Sequence, residues 1–177
     1  AMYIGQAVYK SDSASVVKEW SLPGELPKQI ELLRKISGIS GSAFYSSNQF
    51  NRDLMGFQDS LKLHLYKNVA LVPPMPWLDS IPPQKVIKFR QHGKRIKWKT
   101  IETDNEMDKP NRFIIYLNEK DTPCDAANPD FIYRVQKGTK FKFPRINRKK
   151  KKYEVHVSAL DRLNDESKLS KSVIVKL

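Results

Sequence analysis

Arg148, Lys149, Lys150, Lys151 and Lys152 put five positive charges directly before the alternating segment YEVHVSAL, and Lys94, Arg95, Lys97 and Lys99 surround Trp98. Basic residues with aromatics among them are the ingredients of non-specific nucleic-acid binding, in which cations track the backbone and rings stack on bases. Alternation argues against that use of Trp98: it is opposite in phase to Lys97 and Lys99, so in a strand it faces inward while the lysines face out. Outward lysines also keep sheet edges from pairing, which accounts for them without any ligand. Other chemistries find less support. His64, His92 and His156 are far apart and show no H-E-x-x-H spacing, so no metal-dependent hydrolysis is indicated. The three acids of DNEMD, Asp104 to Asp108, lack the glycine and downstream glutamate of an EF-hand loop and read as solvated charge. GISGS does not have the G-x-S-x-G order, and neither Ser40 nor Ser42 has an indicated base. Cys124 beside Pro123 carries no catalytic-cysteine signature and, being alone, cannot form an intrachain disulfide. Neither a metal nor a cofactor is expected.

The charge is unevenly placed. Residues 1 to 83 carry eight Lys/Arg against seven Asp/Glu, whereas residues 84 to 177 carry twenty-four against twelve, so nearly all of the net +13 belongs to the second part. A basic excess of that size makes anionic partners worth testing. With 40% apolar residues in 177, the chain can bury a respectable core and is not a disordered tail. No stretch approaches eighteen consecutive apolar residues, and AMYIGQAVYK lacks the basic region and long apolar core of a signal peptide.

The elements that would position these residues also change character along the chain. MYIGQAVYK holds Tyr3, Ile4, Val8 and Tyr9 without a helical period and reads as a buried strand beginning at residue 2. GELPKQIELLRKIS spaces Leu26, Ile30, Leu33 and Ile36 as one helix face, with Gly38 as its stop. ISGSAFYSS is a second strand, and NRDLMGFQDSLKLHLYKN a second helix interrupted at Gly56. This βαβα order belongs to a parallel sheet or barrel, and two strands alone leave both sheet edges bare, so residues 1–72 are expected to need partners. LVPPMPWLDSIPP holds five prolines in thirteen residues, which assigns 73–83 to an extended linker. From Gln84 onward, KVIKFRQ, RIKWKTI, RFIIYL, FIYRVQ, TKFKFP, YEVHVSAL and SVIVKL are seven short strands separated by turn clusters, which fits an immunoglobulin-like antiparallel sandwich over 84–177.

Within that sandwich, YEVHVSALDRLNDESKLSKSVIVKL resembles the end of a fibronectin type III domain: a tyrosine opens the sixth strand, a polar turn follows, and a β-branched strand closes the domain. Trp98 sits where that family places its second-strand tryptophan. The resemblance implies that Tyr153 hydrogen-bonds to backbone a few residues upstream, although the interval from Ile146 to Tyr153 is one residue longer than usual and is filled by the lysines.

YIGQAVYK, ELPKQIELLRK, GSAFYSSNQF, GFQDSL, ALVPPMPW and SALDRLNDESK together resemble the C-terminal region of secreted bacterial glycosyl hydrolase-like proteins of the family-10-like group. In those proteins a (β/α)8 barrel precedes a small β-sandwich. The resemblance implies that Met2 to Val8 is the seventh barrel strand and Gly41 to Tyr45 the eighth, with six strands and their catalytic carboxylates upstream. It implies a secreted or cell-envelope lipoprotein acting on polysaccharide or oligosaccharide, of which this chain alone is inactive and carries no catalytic residue.

Barrel chemistry sits at the C-terminal ends of strands. Here those ends offer Gln6, Tyr9, Lys10, Ser46 and Asn48: an amide, a phenol, an ammonium and groups suited to sugar hydroxyls. Each is equally able to satisfy loop backbone. Trp20 can stack on a pyranose face, but tryptophan is more often a packing anchor; Trp77 is expected at a domain interface and Trp98 in the sandwich core. Glycoside hydrolysis needs two carboxylates across the scissile bond, and Asp12, Glu19, Glu25, Glu31, Asp53, Asp59 and Asp79 all fall on loops or helix surfaces. Two other readings compete: a basic β-sandwich binding module for nucleic acid or acidic glycan, with nucleic acid the less favoured partner, and a structural adhesion module.

Overall fold

Alternation and turn chemistry translate into nine strands in the computed structural model, which describes residues 2–52, 55–144 and 151–177. The chain separates into two compact units, Ala1–Lys67 and Asn68–Leu177.

In the first unit, β1 (Met2–Gln6) and β2 (Ile39–Phe44) pair in parallel, joined through α1 (Glu25–Leu33). The register runs from Tyr3 opposite Gly41 to Gln6 opposite Phe44. Pro27 is tolerated because it lies in the first turn of α1, where backbone N–H groups have no helical partner. Leu26 and Ile30 are buried by this helix, while Ile36 falls beyond its end and is exposed. Gly38, at φ +86°, turns the chain into β2 from a left-handed conformation that only glycine adopts freely. The second helix is shorter than its sequence pattern: α2 (Phe57–Ser60) starts only after Gly56, whose φ of +75° breaks any earlier helical run, and continues as a π-helical turn over Leu61–Leu65. Val8, Leu26, Ile30 and Phe57 form a small core, with Trp20, Phe44, Phe50, Leu61 and Leu65 packed around it.

β1 was expected to be buried, but Met2 is 58% exposed and Tyr3 55%. The reason is topological. Among the described residues this sheet has two strands, so each keeps one unpaired edge.

In the second unit, residues 73–83 contain neither helix nor strand, and Trp77 is 68% exposed. The strands that follow are β3 (Ile87–His92), β4 (Arg95–Lys99), β5 (Arg112–Glu119), β6 (Ile132–Gln136), β7 (Lys140–Lys142), β8 (Lys152–Leu160) and β9 (Val173–Lys176). They form two antiparallel sheets, ordered β3-β4-β7 and β6-β5-β8-β9. This is the two-sheet distribution of an immunoglobulin-like sandwich, with the fifth strand of seven crossing to the first pair. Ile96, Trp98, Phe113, Ile115, Phe143, Val155, Val157 and Val175 are among the buried residues of the core. Trp98 is 3% exposed and meets Phe89 and Phe113 edge-on, at 6.3 and 5.4 Å between centroids. The unbroken apolar run of RFIIYL also has a cause: Phe113 and Ile115 face this core while Ile114 and Tyr116 join Leu160 in a second cluster lined by Leu71, Phe131 and Leu169, so β5 is covered on both faces. Tyr153 is half-buried against the main core; the upstream stretch implied to receive its hydroxyl, residues 145–150, lies outside the described residues, as does most of the lysine run.

Candidate functional site

Because β1 and β2 are parallel, their C-terminal ends lie at the same end of the sheet, and the Tyr45 N–H donating to the Gln6 carbonyl at 3.0 Å ties them together. Val8–Lys10 is a short 3-10 turn after β1, and Ser46 precedes another, Ser47–Asn51, after β2. Tyr9, 52% exposed, meets Tyr45, 70% exposed, edge-on at 5.9 Å between centroids. The Lys10 ammonium lies 5.7 Å from the centre of the half-buried Trp20 ring. Gln6 is buried, and its amide oxygen has no hydrogen-bond partner among the described residues. Ser46 is half-buried and Asn48 exposed; neither side chain makes a hydrogen bond among the described residues.

Five predicted residues therefore divide into two groups. Gln6, Tyr9 and Lys10 lie at the end of one strand, with Tyr9 and Lys10 against aromatic rings; Ser46 and Asn48 follow the other strand and make no side-chain hydrogen bond or ring contact with them. Sequence reading passed over Tyr45. Its signal was alternation: with Tyr3 opposite Gly41 and Gly5 opposite Ala43, the positions Tyr3, Gly5, Gly41, Ala43 and Tyr45 share one sheet face. That face carries a phenol at each end and almost no side chain between. The Tyr3 ring lies against Gly41, where an added Cβ would meet it at 2.9 Å.

Among the described residues of this unit, the carboxylates are engaged within their own loop or helix or stand exposed. Asp12 caps its own loop by accepting from Ala14 N–H at 2.9 Å, Glu25 accepts from the Gln29 amide at 2.7 Å one helical turn on, and Glu19, Glu31 and Asp59 are exposed. Asp53 lies outside the described residues. In the second unit, Asp79 likewise accepts from Ile81 N–H two residues on. Among the described residues no group of three or more His, Cys, Asp or Glu side chains is arranged to hold a metal ion, and no helix is long and apolar enough to cross a membrane. The acidic loop satisfies itself, with the Asn105 amide donating to Asp108 at 3.0 Å and Lys109 paired with Glu106.

No family model matches the chain. It is similar to the protein named glycosyl hydrolase YngK of Bacillus subtilis (strain 168), with 31% identity over 177 residues that take in 96% of this chain and 33% of that protein. The chain thus spans about a third of the length of this curated relative. Two solved structures are similar to parts of it. One is pectate lyase PelI from Erwinia chrysanthemi in complex with tetragalacturonic acid, at 20% identity over 51% of this chain and 28% of that one, with a TM-score of 0.35. The other is the sixth fibronectin type III domain of human fibronectin type III domain containing protein 3, at 9% identity over 60% of this chain and 87% of that one, with a TM-score of 0.37.

Proposed function

We propose that this chain is the C-terminal region of a secreted or cell-envelope glycoside hydrolase acting on polysaccharide, in which β1 and β2 are the last two strands of a (β/α)8 barrel and the sandwich is an accessory domain. The observation that carries the reading is the parallel β1–β2 pair: a helix crossover, two open edges, and an exposed face framed by Tyr3 and Tyr45. A parallel pair of this kind is at home inside a larger sheet, where neighbours satisfy its edges. The 31% identity to a protein named as a glycosyl hydrolase extends across 96% of the chain and supports the same reading.

In this arrangement Tyr9 and Tyr45 offer flat apolar rings to the C–H face of a sugar, and Lys10, Ser46 and Asn48 offer donors and acceptors to its hydroxyls. Gln6, buried at the end of β1, keeps an amide oxygen without a hydrogen-bond partner among the described residues. These groups bind and orient; they do not cleave. Hydrolysis proceeds through a pair of carboxylates about 5 to 10 Å apart, and on this reading those belong to strands outside the chain. The test is release of reducing ends from a panel of polysaccharides, measured for the 177-residue chain and for the full-length protein. Activity of the full-length protein with none from the chain alone is expected. Hydrolysis by the chain alone would contradict the assignment of the carboxylates elsewhere, and inactivity of the full-length protein on every substrate would overturn the hydrolase reading.

A further inference from the structure

We propose that the outer face of the β3-β4-β7 sheet docks a linear polysaccharide bearing carboxylates, a surface distinct from the β1–β2 strand ends; the choice of a glycan rests on the carbohydrate reading above. The pairing register builds this face. Arg90 lies opposite Lys97, and Lys97 opposite Lys140, making one row of cations across three strands. His92 lies opposite Arg95, and Arg95 opposite Lys142, making a second row. All six side chains are exposed, and they line a groove of about 750 Å³.

Such an array works against the sheet that carries it, because like charges directly opposite one another on a sheet destabilise the pairing. Elsewhere in the unit some exposed lysines have acidic partners, as Lys151 has Glu119 at 2.9 Å and Lys120 has Asp121 at 3.3 Å. Here there is none: β3, β4 and β7 contain no Asp or Glu, and among the described residues none of these Lys and Arg side chains forms an ion pair. Edge protection needs a lysine or two, not two full rows continuing across the central strand β4. An anionic polymer lying along the rows would neutralise all three strands at once.

Polysaccharide fits this face better than nucleic acid. Single-stranded nucleic acid is held by exposed rings on which bases stack; the two cation rows carry no Phe, Tyr or Trp, and Phe141, which also lines the groove, is half-buried. Trp98 and Ile96 point into the core, and Phe141 packs half-buried against it, with the Arg134 guanidinium 5.3 Å from its centre. Duplex DNA admits a helix or a two-stranded ribbon into its major groove, about 12 Å wide. A three-stranded sheet with strands about 4.8 Å apart and long side chains on its face is broader than the two-stranded ribbon that this groove of DNA admits.

The experiment is affinity electrophoresis of the 177-residue chain in gels containing alginate, a neutral glucan, or double-stranded DNA, over a series of salt concentrations. Two triple variants are compared, each removing three positive charges: Lys97→Gln with Lys140→Gln and Lys142→Gln on the face, and Lys168→Gln with Lys171→Gln and Lys176→Gln at exposed positions in the β8–β9 connection and on β9 of the other sheet. Thermal unfolding of both confirms that they remain folded, and the single Lys97→Gln variant repeats the face arm if the triple does not. The expected result is alginate retention that weakens with salt, falls about tenfold or more in the face variant and is nearly unchanged in the control, because each lost contact also removes a counterion-release contribution. Equal loss in both variants would reduce the effect to bulk charge and overturn the proposal. DNA retained as tightly as alginate and lost in the same variant would replace the glycan with nucleic acid. No retention on alginate would sink the docking surface while leaving the hydrolase reading untouched, since that reading is decided by reducing-end release from the full-length protein.

Discussion

At the scale of single residues, the most informative side chain is one that the sequence did not single out. Asp161, fully buried at the end of β8, accepts from the N–H groups of Leu163 and Asp165 at 2.8 and 3.0 Å and so shapes the turn to Asn164, which sits at φ +71°. Burial pushes its carboxyl up from the ordinary value, and the neighbouring Asp165 carboxylate adds to this, while the backbone donors oppose it. The sign follows: with the folded value above the unfolded one, the folded state holds more protons just above the ordinary carboxyl range, so this residue's contribution to stability falls as pH rises through that window. Asp161→Asn keeps an acceptor for both N–H groups and removes the buried charge. It is expected to be at least as stable as the parent at neutral pH, with a flatter stability profile across that window in urea titrations. Asp161→Ala strands two donors and is expected to lose about 1–3 kcal/mol. Equal destabilisation by both substitutions would show that the charge itself, not the acceptor, holds the turn. Residues whose role is packing were legible in advance, as Trp98 illustrates: its phase against Lys97 and Lys99 placed it inward, and it is buried. Asp161 was not legible because a polar residue in a polar turn gives no periodic signal; its burial comes from tertiary packing.

At the scale of elements, all seven sandwich strands stood out because their alternation and β-branched residues agree with the sheet they enter. β5 could be recognised as a strand, but its coverage on both faces depends on Leu71, Phe131 and Leu169, which no local pattern reveals. The first unit was read less well. A run such as MYIGQAV is apolar enough to be central, yet β1 has one neighbour and Met2 and Tyr3 stand in solvent. Gly56 delayed the start of the expected helix to Phe57, a backbone requirement visible in the sequence but not in its consequence. These differences make a kinetic expectation. Amides of β1 and β2, in a single two-stranded ladder, should exchange with deuterium far faster than those of β5 and β8, which lie in the interior of a four-stranded sheet. Hydrogen-exchange mass spectrometry on the 177-residue chain checks this, and equal protection of the two ladders would mean that the first unit is stable without added strands.

At the scale of the whole molecule, the charge asymmetry read from composition becomes spatial. Part of the excess of cations in residues 84 to 177, namely Arg90, Arg95, Lys97, Lys140 and Lys142, is gathered on one sheet face by the register of β3, β4 and β7, where composition alone gave only a total. The lysine run that first drew notice, Arg148 to Lys152, is succeeded in importance by residues scattered over fifty positions of sequence. The division into two units at Lys67 and Asn68 separates the strand-end site, with its rings and hydroxyls, from this basic face. The strand-end site was found by a rule about where barrel chemistry lies, and that rule named Tyr9 but not Tyr45, whose exposure and edge contact required coordinates. The proposed binding of sugar at these strand ends is put to the test by steady-state kinetics of the full-length protein on its best polysaccharide, comparing the parent with Tyr9→Ala and Tyr45→Ala. Each substitution is expected to raise KM about tenfold, equivalent to about 1.4 kcal/mol of lost binding, with a smaller change in kcat. Unchanged KM and kcat in both variants would contradict it.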